Sequence, residues 1–304
     1  MVAQKRIKIG TRDSELALWQ ANTIAQKINE LGVETEIVPV KSTGDIILDK
    51  PLYELGITGI FTKTLDIAML QGKVDIAVHS MKDVPTALPK GIVQAAVLER
   101  ANVNDILVLK SDNYDFEKVN TIATGSLRRK AQWLHKYPHH KMVDLRGNVN
   151  SRIQKLDNNP WNGAIFAHAG LERINLLPSK SITLDWMLPA PAQGAMMVVT
   201  LEKDIFSYQI VQKLNHKNTE ICTKIERDFL KTLEGGCSAP IGALAKIYQE
   251  TIQFTGNIFS LNGKEKITIS KSCNLQEFEN FGKKCAIELL EMGANKIMET
   301  LNKK

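Results

Sequence analysis

The sequence lacks the marks of a membrane protein, a disulfide-stabilised protein or a metalloprotein. Its 304 residues contain only four cysteines, none in CxxC spacing and none in a histidine pattern typical of zinc sites. We therefore expect reduced thiols and no metal. No apolar run is long enough to span a bilayer, and the first residues, MVAQKRIKIGT, lack the apolar core of a signal peptide. These absences predict a cytoplasmic protein with no membrane partner.

Blocks of basic residues and phosphate-binding loops are missing as well. The 39 Lys and Arg residues exceed the 33 Asp and Glu residues by a net charge of +6, but they form no continuous run or helix stripe. A nucleic-acid partner is therefore not expected. Neither GxxxxGK[ST] nor a GxGxxG after a strand occurs. The histidines, including His79, His139 and His140, lack metal-ligand spacing, and we interpret them as structural or solvated.

Alternating strand and helix patterns predict an α/β protein, whose length indicates two or three domains. A strand in RIKIG precedes a helix in TRDSELALWQANTIAQKINELG, whose apolar residues recur every three or four positions until Gly32. The strand TEIVPV follows. The helix pattern FTKTLDIAMLQG leads into the buried strand VDIAVHSM, and the strands TIAT, MVDL and GAIFAHA each precede a further helix.

Arginines recur where these strands end and the next helices begin. The positions are Arg12, Arg128, Arg129, Arg146, Arg152 and Arg173. In open α/β sheets, ligands bind outside the carboxyl ends of the strands, next to helix amino termini. Since the guanidinium group pairs with carboxylate or phosphate oxygens and no phosphate loop is present, the pattern favours a small molecule with many carboxylates.

Two other segments carry candidate chemistry. Asp83 follows a strand and lies among cationic residues, so it is either an ion-pair partner or a group that faces a cation formed during a reaction. Its neighbour Lys82 lacks the apolar surroundings of a Schiff-base lysine. In LEGGCSAPIG, two glycines precede Cys237 and leave room for a bulky group beside the thiol. A buried structural cysteine is the alternative.

Eight segments together resemble the porphobilinogen deaminase family, also called hydroxymethylbilane synthases. The segments are IGTRDSELALWQ, GDIILDKPL, DIAVHSMKDVPT, ATGSLRRKAQ, LRGNVNSR, AGLERI, LPAPAQGA and LEGGCSAPIG. They follow the family's order from Gly10 to Gly242, and HSMKDVP together with EGGC is the most specific combination.

The resemblance implies a role for the two candidate segments. Cys237 matches the cysteine that carries a covalent dipyrromethane cofactor through a thioether, and the enzyme makes this cofactor from its own substrate. Asp83 matches the catalytic aspartate, which offsets positive charge as ammonia leaves. The implied enzyme is a transferase that joins four porphobilinogen molecules head to tail into hydroxymethylbilane, in tetrapyrrole biosynthesis.

Matching positions imply further site residues. Those implied for cofactor binding are Lys82, Thr124, Ser126, Arg128, Arg129, Arg146, Gly147 and Asn148. Those implied for substrate binding are Arg12, Ser14, Arg152, Arg173 and Gln193. Each porphobilinogen carries an acetate and a propionate, which is the carboxylate-rich ligand that the arginines favour.

The resemblance also implies an architecture. We expect an α/β protein with two lobes similar to solute-binding proteins, mixed and mainly parallel sheets, and a smaller α+β C-terminal domain. Domain 1 would comprise residues 1–98 and 195–213, domain 2 residues 102–189, and domain 3 residues 216–304 with the cofactor cysteine. The segment GDIILDKPLYELGITG would be a mobile active-site loop. A monomer is expected.

Three single positions and one three-residue run depart from the family pattern. Gly125 stands where a serine is usual, Ala192 where a glycine precedes QG, and Thr58 where lysine is frequent; Met197–Val199 replace a GIE-like run. A non-catalytic two-lobed protein that binds a polycarboxylate is the alternative function. In such a protein Cys237 would have no role.

Overall fold

The computed structural model describes residues 6–41, 59, 62–112, 114–233 and 239–302. Most of the predicted mobile loop, Thr58 and Cys237 lie outside these residues. The chain forms two compact units. The first contains the described residues of Met1–Asp49, Ile57–Ala101 and Gly194–Glu220. The second contains the described residues of Lys50–Gly56, Asn102–Gln193 and Ile221–Lys304.

The described residues contain thirteen strands and nine α-helices. The strands are β1 (Ile7–Thr11), β2 (Thr35–Pro39), β3 (Ile76–Ser80), β4 (Ile92–Val97), β5 (Asp105–Leu109), β6 (Thr121–Ala123), β7 (Lys141–Val143), β8 (Gly163–Ala167), β9 (Ser181–Leu184), β10 (Met196–Leu201), β11 (Ile241–Tyr248), β12 (Thr251–Phe259) and β13 (Lys266–Asn274). The helices are α1 (Glu15–Glu30), α2 (Lys63–Leu70), α3 (Leu127–Lys136), α4 (Val149–Asn158), α5 (His168–Glu172), α6 (Ile205–Gln212), α7 (Lys217–Thr232), α8 (Phe281–Leu289) and α9 (Asn295–Asn302). Short 3₁₀ helices span Met81–Asp83 and Leu275–Glu277, and a π-helical turn spans Leu290–Ala294.

The first unit contains a five-stranded sheet in the order β2-β1-β3-β10-β4. Strand β1 is parallel to both β2 and β3, whereas β10 is antiparallel to both β3 and β4. The apolar face of α1 packs on this sheet, with Ile24 and Ile28 fully buried against Ile7 and Ile9. Helix α1 ends just before Gly32, whose φ of +81° lies in the left-handed region.

The second unit begins with another five-stranded sheet, in the order β7-β6-β8-β5-β9. Strand β6 is parallel to β7 and β8, and β5 is antiparallel to β8 and β9. Alternate residues of β5 and β8 belong to two separate apolar cores: Ile106 and Phe166 belong to one, and Leu107 and Ile165 to the other. Both faces of the sheet are therefore covered, as in α/β proteins.

The C-terminal part of the second unit is a three-stranded antiparallel meander, β11-β12-β13, with helices packed on it. Its core centres on Phe229 of α7 and Phe254 of β12, whose rings meet edge to face at 5.1 Å. Gly256 makes this packing possible, because a Cβ there would lie 2.5 Å from the Phe229 ring.

The predicted fold class is confirmed: two mixed sheets in an α/β arrangement, followed by a smaller α+β part. Parallel pairs do not predominate, however, since each five-stranded sheet contains two parallel and two antiparallel pairs. In the first unit, parallel pairs do not outnumber antiparallel pairs because the chain returns at Gly194. It inserts β10 between β3 and β4, antiparallel to both.

Candidate functional site

Arg12 and Ser14 lie in the turn that joins β1 to α1. The Thr11 hydroxyl donates a hydrogen bond to Ala17 O at 2.9 Å, which fixes the turn against the first turn of the helix. Ser14 occupies the N-cap position with an extended backbone, but its hydroxyl accepts no hydrogen bond from the helix. Both side chains are partly exposed at a positive helix terminus, where an anionic group is stabilised.

Lys82 and Asp83 lie in the 3₁₀ turn after β3, as the strand-end pattern predicts. Met81 is buried and donates its N–H to Ala195 O at 3.0 Å, and Val84 N–H returns to Met81 O. The turn is therefore anchored on its apolar residue, while Asp83 is exposed and Lys82 partly exposed. An exposed carboxylate on an anchored turn can meet a cationic group of a ligand.

His79 lies just before this turn and is 6% exposed. Burial, reinforced by the positive charge of Arg12, lowers the pKa of His79 from 6.5 to about 4. The ring is therefore neutral at neutral pH, which agrees with the structural role predicted for it. Its neighbour Ser80 accepts a hydrogen bond from Gln20 of α1 at 2.9 Å.

In the second unit, Thr124 and Ser126 form the turn between β6 and α3. Thr124 is buried and its hydroxyl accepts from Ser126 N–H at 3.3 Å, while Ser126 Oγ caps Arg129 N–H at 3.4 Å. A Cβ on Gly125 would lie 2.4 Å from Leu145 O. The departure at Gly125 therefore has a steric reason, since this backbone leaves no room for the usual serine.

Arg128 and Arg129 lie in the first turn of α3 and converge on one buried carboxylate, Asp105, at the start of β5. Arg129 donates from Nε to Asp105 Oδ1 at 3.0 Å and places Nη2 2.8 Å from the same oxygen. Arg128 Nη1 lies 2.8 Å from Asp105 Oδ2 and donates to Leu188 O at 2.7 Å. Gln193 is fully buried and donates to Asp105 Oδ1 at 2.9 Å.

This Asp105 cluster (Asp105, Arg128, Arg129 and Gln193) has a net positive charge. Burial alone would raise the Asp105 pKa, but the two guanidinium charges and the hydrogen bonds from Arg128 and Gln193 hold it well below its usual range. The carboxylate is thus ionised, and two cations share one anion. We did not predict Asp105 from the sequence; its only signal is a charged residue that opens the buried strand DILVL.

Arg146, Gly147, Asn148 and Arg152 lie together around the start of α4. Asn148 Oδ1 caps Ser151 N–H at 2.9 Å, and Arg152 Nε donates to Gly147 O at 2.7 Å. Gly147 has a φ of +109°, which a side chain would strain. Arg146 is buried and Arg152 partly exposed. The turn thus combines a helix N-terminus with two cations, a combination that suits an anion.

Arg173 follows α5 at its carboxyl end rather than lying near a helix amino end. Burial lowers the pKa of Arg173 to about 10, while the adjacent Glu172 opposes that shift. Its side chain remains a cation at neutral pH.

Gln193 lies in the connector LPAPAQGA between β9 and β10, and the buried Glu226 holds this connector in place. Ala192, fully buried with a φ of +61°, donates its N–H to Glu226 Oε2 at 2.7 Å, and Glu226 Oε1 accepts from Ala245 N–H at 2.8 Å. Ala192 thus adopts a conformation that favours glycine, the residue usual at this position in the family.

The described cysteines are poor nucleophiles compared with an activated thiol. Cys222 and Cys285 are buried, and burial, with a smaller effect of Glu288, raises the Cys285 pKa to about 11. The pKa of Cys273 is also raised, mainly by burial. Among the described residues, no group of three or more His, Cys, Asp or Glu side chains could hold a metal ion. No helix in the described part of the chain is long and apolar enough to cross a membrane.

Two family models match most of the chain. Residues 7–209 match the family described as "Porphobilinogen deaminase, dipyromethane cofactor binding domain", and residues 220–291 match "Porphobilinogen deaminase, C-terminal domain". The porphobilinogen deaminase of Campylobacter hominis is 40% identical over 97% of both chains. That of Chlorobium phaeobacteroides (strain BS1) is 38% identical over 99% of both.

Among solved structures, a methionine-binding protein, MetQ, is similar at a TM-score of 0.45 and 14% identity, over 69% of this chain and 89% of that one. Nothing about the ligand of this chain follows from that likeness.

The sequence matches confirm the predicted enzyme class, its role in tetrapyrrole biosynthesis and its dipyrromethane cofactor, and they favour this function over a non-catalytic binding protein. The chain belongs to the porphobilinogen deaminase family.

Proposed function

We propose that this chain converts porphobilinogen into hydroxymethylbilane with Asp83 as its catalytic residue and Cys237 as the attachment point of the dipyrromethane. The Asp105 cluster, which places excess positive charge at the start of α3, carries the cofactor part of the proposal. The exposed position of Asp83 on a turn anchored by Met81 carries the catalytic part. An uncompensated buried charge is costly. Two arginines on one carboxylate therefore favour a further anionic partner.

The residues present fit a cofactor that carries several carboxylates. Arg128 is 4% exposed, and its Nε has no hydrogen-bond partner among the described residues. Such a buried donor is costly unless a ligand satisfies it. Arg128, Arg129 and Arg146 would hold the cofactor carboxylates together with Thr124, Ser126 and the Gly147–Asn148 turn. Cys237 would hold the group through its sulfur, for which the two preceding glycines leave space.

When bound, the dipyrromethane supplies the pyrrole carbon to which the first substrate unit is joined. The chain's own residues bind the substrate and stabilise its charge. Arg12 and Ser14 would bind the acetate and propionate of porphobilinogen, Lys82 would bind a carboxylate of the cofactor, and Arg152 and Arg173 would hold substrate carboxylates in the second unit. Gln193 is buried against Asp105, so its proposed contribution to substrate binding acts through the arginines that Asp105 positions.

Asp83 would act on the step in which porphobilinogen loses ammonia. The C–N bond of the protonated aminomethyl group breaks, its electron pair leaves with the nitrogen as ammonia, and the pyrrole ring keeps the positive charge. The ring N–H becomes more acidic as this charge forms, and the Asp83 carboxylate accepts its hydrogen bond. The backbone of the turn that carries Asp83 is held by the hydrogen bonds of Met81, so it is in position before the reaction.

Replacing Asp83 by asparagine tests this role, since the variant keeps the shape and removes the charge. We expect at least about a hundredfold lower kcat, the loss typical of removing one preorganised stabilising group. Asp83→Glu should recover part of the rate. The matched control is Asp185→Asn, which removes an exposed carboxylate. Each variant needs its cofactor content measured by intact mass, and near-normal turnover of loaded Asp83→Asn would contradict the proposal.

We also propose three domains, a monomeric state and a cytoplasmic location. Breaks between the two units near residues 101, 193 and 220 support domain 1 as residues 1–98 and 195–213. Separate apolar cores in the second unit support domains 2 and 3, residues 102–189 and 216–304. Light scattering of the purified chain tests the monomer: a mass of one chain is expected, and twice that mass would contradict it.

A further inference from the structure

A cavity of about 240 Å³ lies in the second unit, where α3 meets β12 and the start of β13. Its lining residues are Gln132, His135, Lys136, Trp186, Asn257, Phe259 and Lys266. None of them belongs to the proposed catalytic or binding residues. The cavity is therefore separate from the proposed catalytic and binding residues.

The charge of the cavity is positive. Its lining contains two lysines and no acidic residue. Lys136 Nζ lies 4.4 Å from the centroid of the Trp186 ring, and Lys266 Nζ lies 5.7 Å from that of Phe259. Neither lysine forms an ion pair with another residue of the part of the chain that the structure describes. Aromatic rings attract these ammonium groups but accept no full hydrogen bond, so both lysines can still pair with an anion.

The walls are aromatic. Phe259 is buried and Trp186 partly buried, and both line the cavity. The His135 ring packs edge to face on Phe259 at 5.3 Å, and its Nδ1 lies 2.8 Å from Gly263 O. Since a carbonyl oxygen only accepts, Nδ1 must carry the proton. The other ring nitrogen, Nε2, is then available to a ligand.

The buried part of the cavity is held rigidly. The Gln132 amide donates to Leu188 O at 2.9 Å and accepts from Leu188 N–H at 2.8 Å, so both its ends are used. Asn257 Oδ1 accepts from Gly242 N–H at 3.1 Å, which leaves Nδ2 as the group that can donate to a ligand. The site is therefore largely preformed, a property that lowers the cost of binding.

We propose that this cavity binds a small planar aromatic carboxylate. The ring would pack on Trp186 and Phe259, and the carboxylate would accept hydrogen bonds from Lys136 and Lys266. Its volume suits a fragment of roughly a dozen non-hydrogen atoms at the packing density of protein interiors. The proposal is independent of the roles given to Asp83 and Cys237.

Calorimetric titration of the full chain with indole-3-acetate tests the proposal, with indole-3-acetamide as the neutral probe of the same shape. We expect saturable one-to-one binding at millimolar concentration and at least about tenfold weaker binding of the amide, because only the carboxylate forms charge-assisted hydrogen bonds. The double variant Lys136→Gln/Lys266→Gln should weaken binding of the carboxylate at least about tenfold. Trp186→Leu should weaken both probes.

The matched control is Lys27→Gln/Lys283→Gln, which removes the same charge from two exposed lysines outside the cavity. It should bind like the unaltered chain. Binding that falls equally in both double variants would show that net charge, not this cavity, attracts the probe. No saturable binding, unchanged binding in the cavity variant, or equal binding of the amide would each overturn the proposal.

Discussion

Acid should destabilise the first unit through His79. The ring is buried, carries no hydrogen bond on Nε2 among the described residues, and lies beside the positive charge of Arg12. The folded chain therefore resists protonation of this ring. The unfolded chain, in which the ring is solvated, takes up the proton near pH 6.5.

The magnitude follows from the two pKa values. The pKa of His79 falls from 6.5 to about 4 on folding, a gap of roughly two and a half pH units. Each unit corresponds to about 1.4 kcal/mol, so about 3 kcal/mol of stability is lost in total. Because the unfolded chain binds more protons below pH 6.5, the loss begins there, grows as the pH falls and stops near pH 4. Between about pH 6.5 and about pH 5 the expected loss is about 2 kcal/mol.

Urea unfolding followed by circular dichroism at several pH values measures this loss. Other groups also titrate, so the test is the difference between the unaltered chain and His79→Leu, which replaces the ring by an apolar side chain of similar size. The variant should lose about 2 kcal/mol less than the unaltered chain over that interval. His135→Gln, which replaces an exposed histidine, controls for the change in composition. An equal acid loss in His79→Leu and the unaltered chain would refute the reasoning.

Two further predictions concern the second unit. Asp105→Asn should lower the free energy of unfolding by about 3–5 kcal/mol, because it leaves two buried guanidinium groups without their carboxylate. Urea unfolding measures this loss, with Asp112→Asn as the control that alters an exposed carboxylate. A loss below about 1 kcal/mol would contradict the stabilising role of the Asp105 cluster. Gly125→Ser and Gly125→Ala should both destabilise by about 1–3 kcal/mol, since the conflict with Leu145 O arises at Cβ. A serine variant that is as stable as the unaltered chain would show that the family's hydroxyl fits after all.

The helices and strands with strong periodic patterns could be predicted from the sequence. The pattern predicts a helix that stops at Gly32, and α1 ends at Glu30. It likewise predicts the helix before Gly72, where α2 ends at Leu70 and Gly72 has a φ of +69°. These successes rest on local physics: apolar spacing marks the buried face, and glycine is favoured where the backbone turns left-handed.

Strand direction and side-chain pairing could not be predicted in the same way. Strand β10 reads as a buried apolar run, and nothing in it shows that it pairs antiparallel between β3 and β4. The arginines at the start of α3 were expected to contact a ligand, yet most of their hydrogen bonds go to Asp105, Leu188 and Ile165. Such contacts join residues far apart in the chain, so they depend on the tertiary fold rather than on local pattern.

The connector at Ala192 illustrates a third limit. The sequence shows only that a glycine of the family is replaced, whereas the structure shows the reason for the glycine: a φ of +61° at this residue. The hydrogen bond from Ala192 N–H to Glu226 helps to hold this conformation, and Glu226 is 34 residues away. A left-handed alanine costs about 1–2 kcal/mol, which the surrounding hydrogen bonds must offset.

Attachment of the dipyrromethane to Cys237 is the central claim, and intact-protein mass spectrometry with peptide mapping tests it most directly. The unaltered chain, purified from a pyrrole-producing host, should carry the mass of two linked porphobilinogen-derived units on the peptide that contains LEGGCSAPIG. Cys222→Ser, Cys273→Ser and Cys285→Ser should retain that mass, and Cys237→Ser should lose it. An unmodified chain after incubation with porphobilinogen, or an adduct lost only from another cysteine variant, would contradict the account.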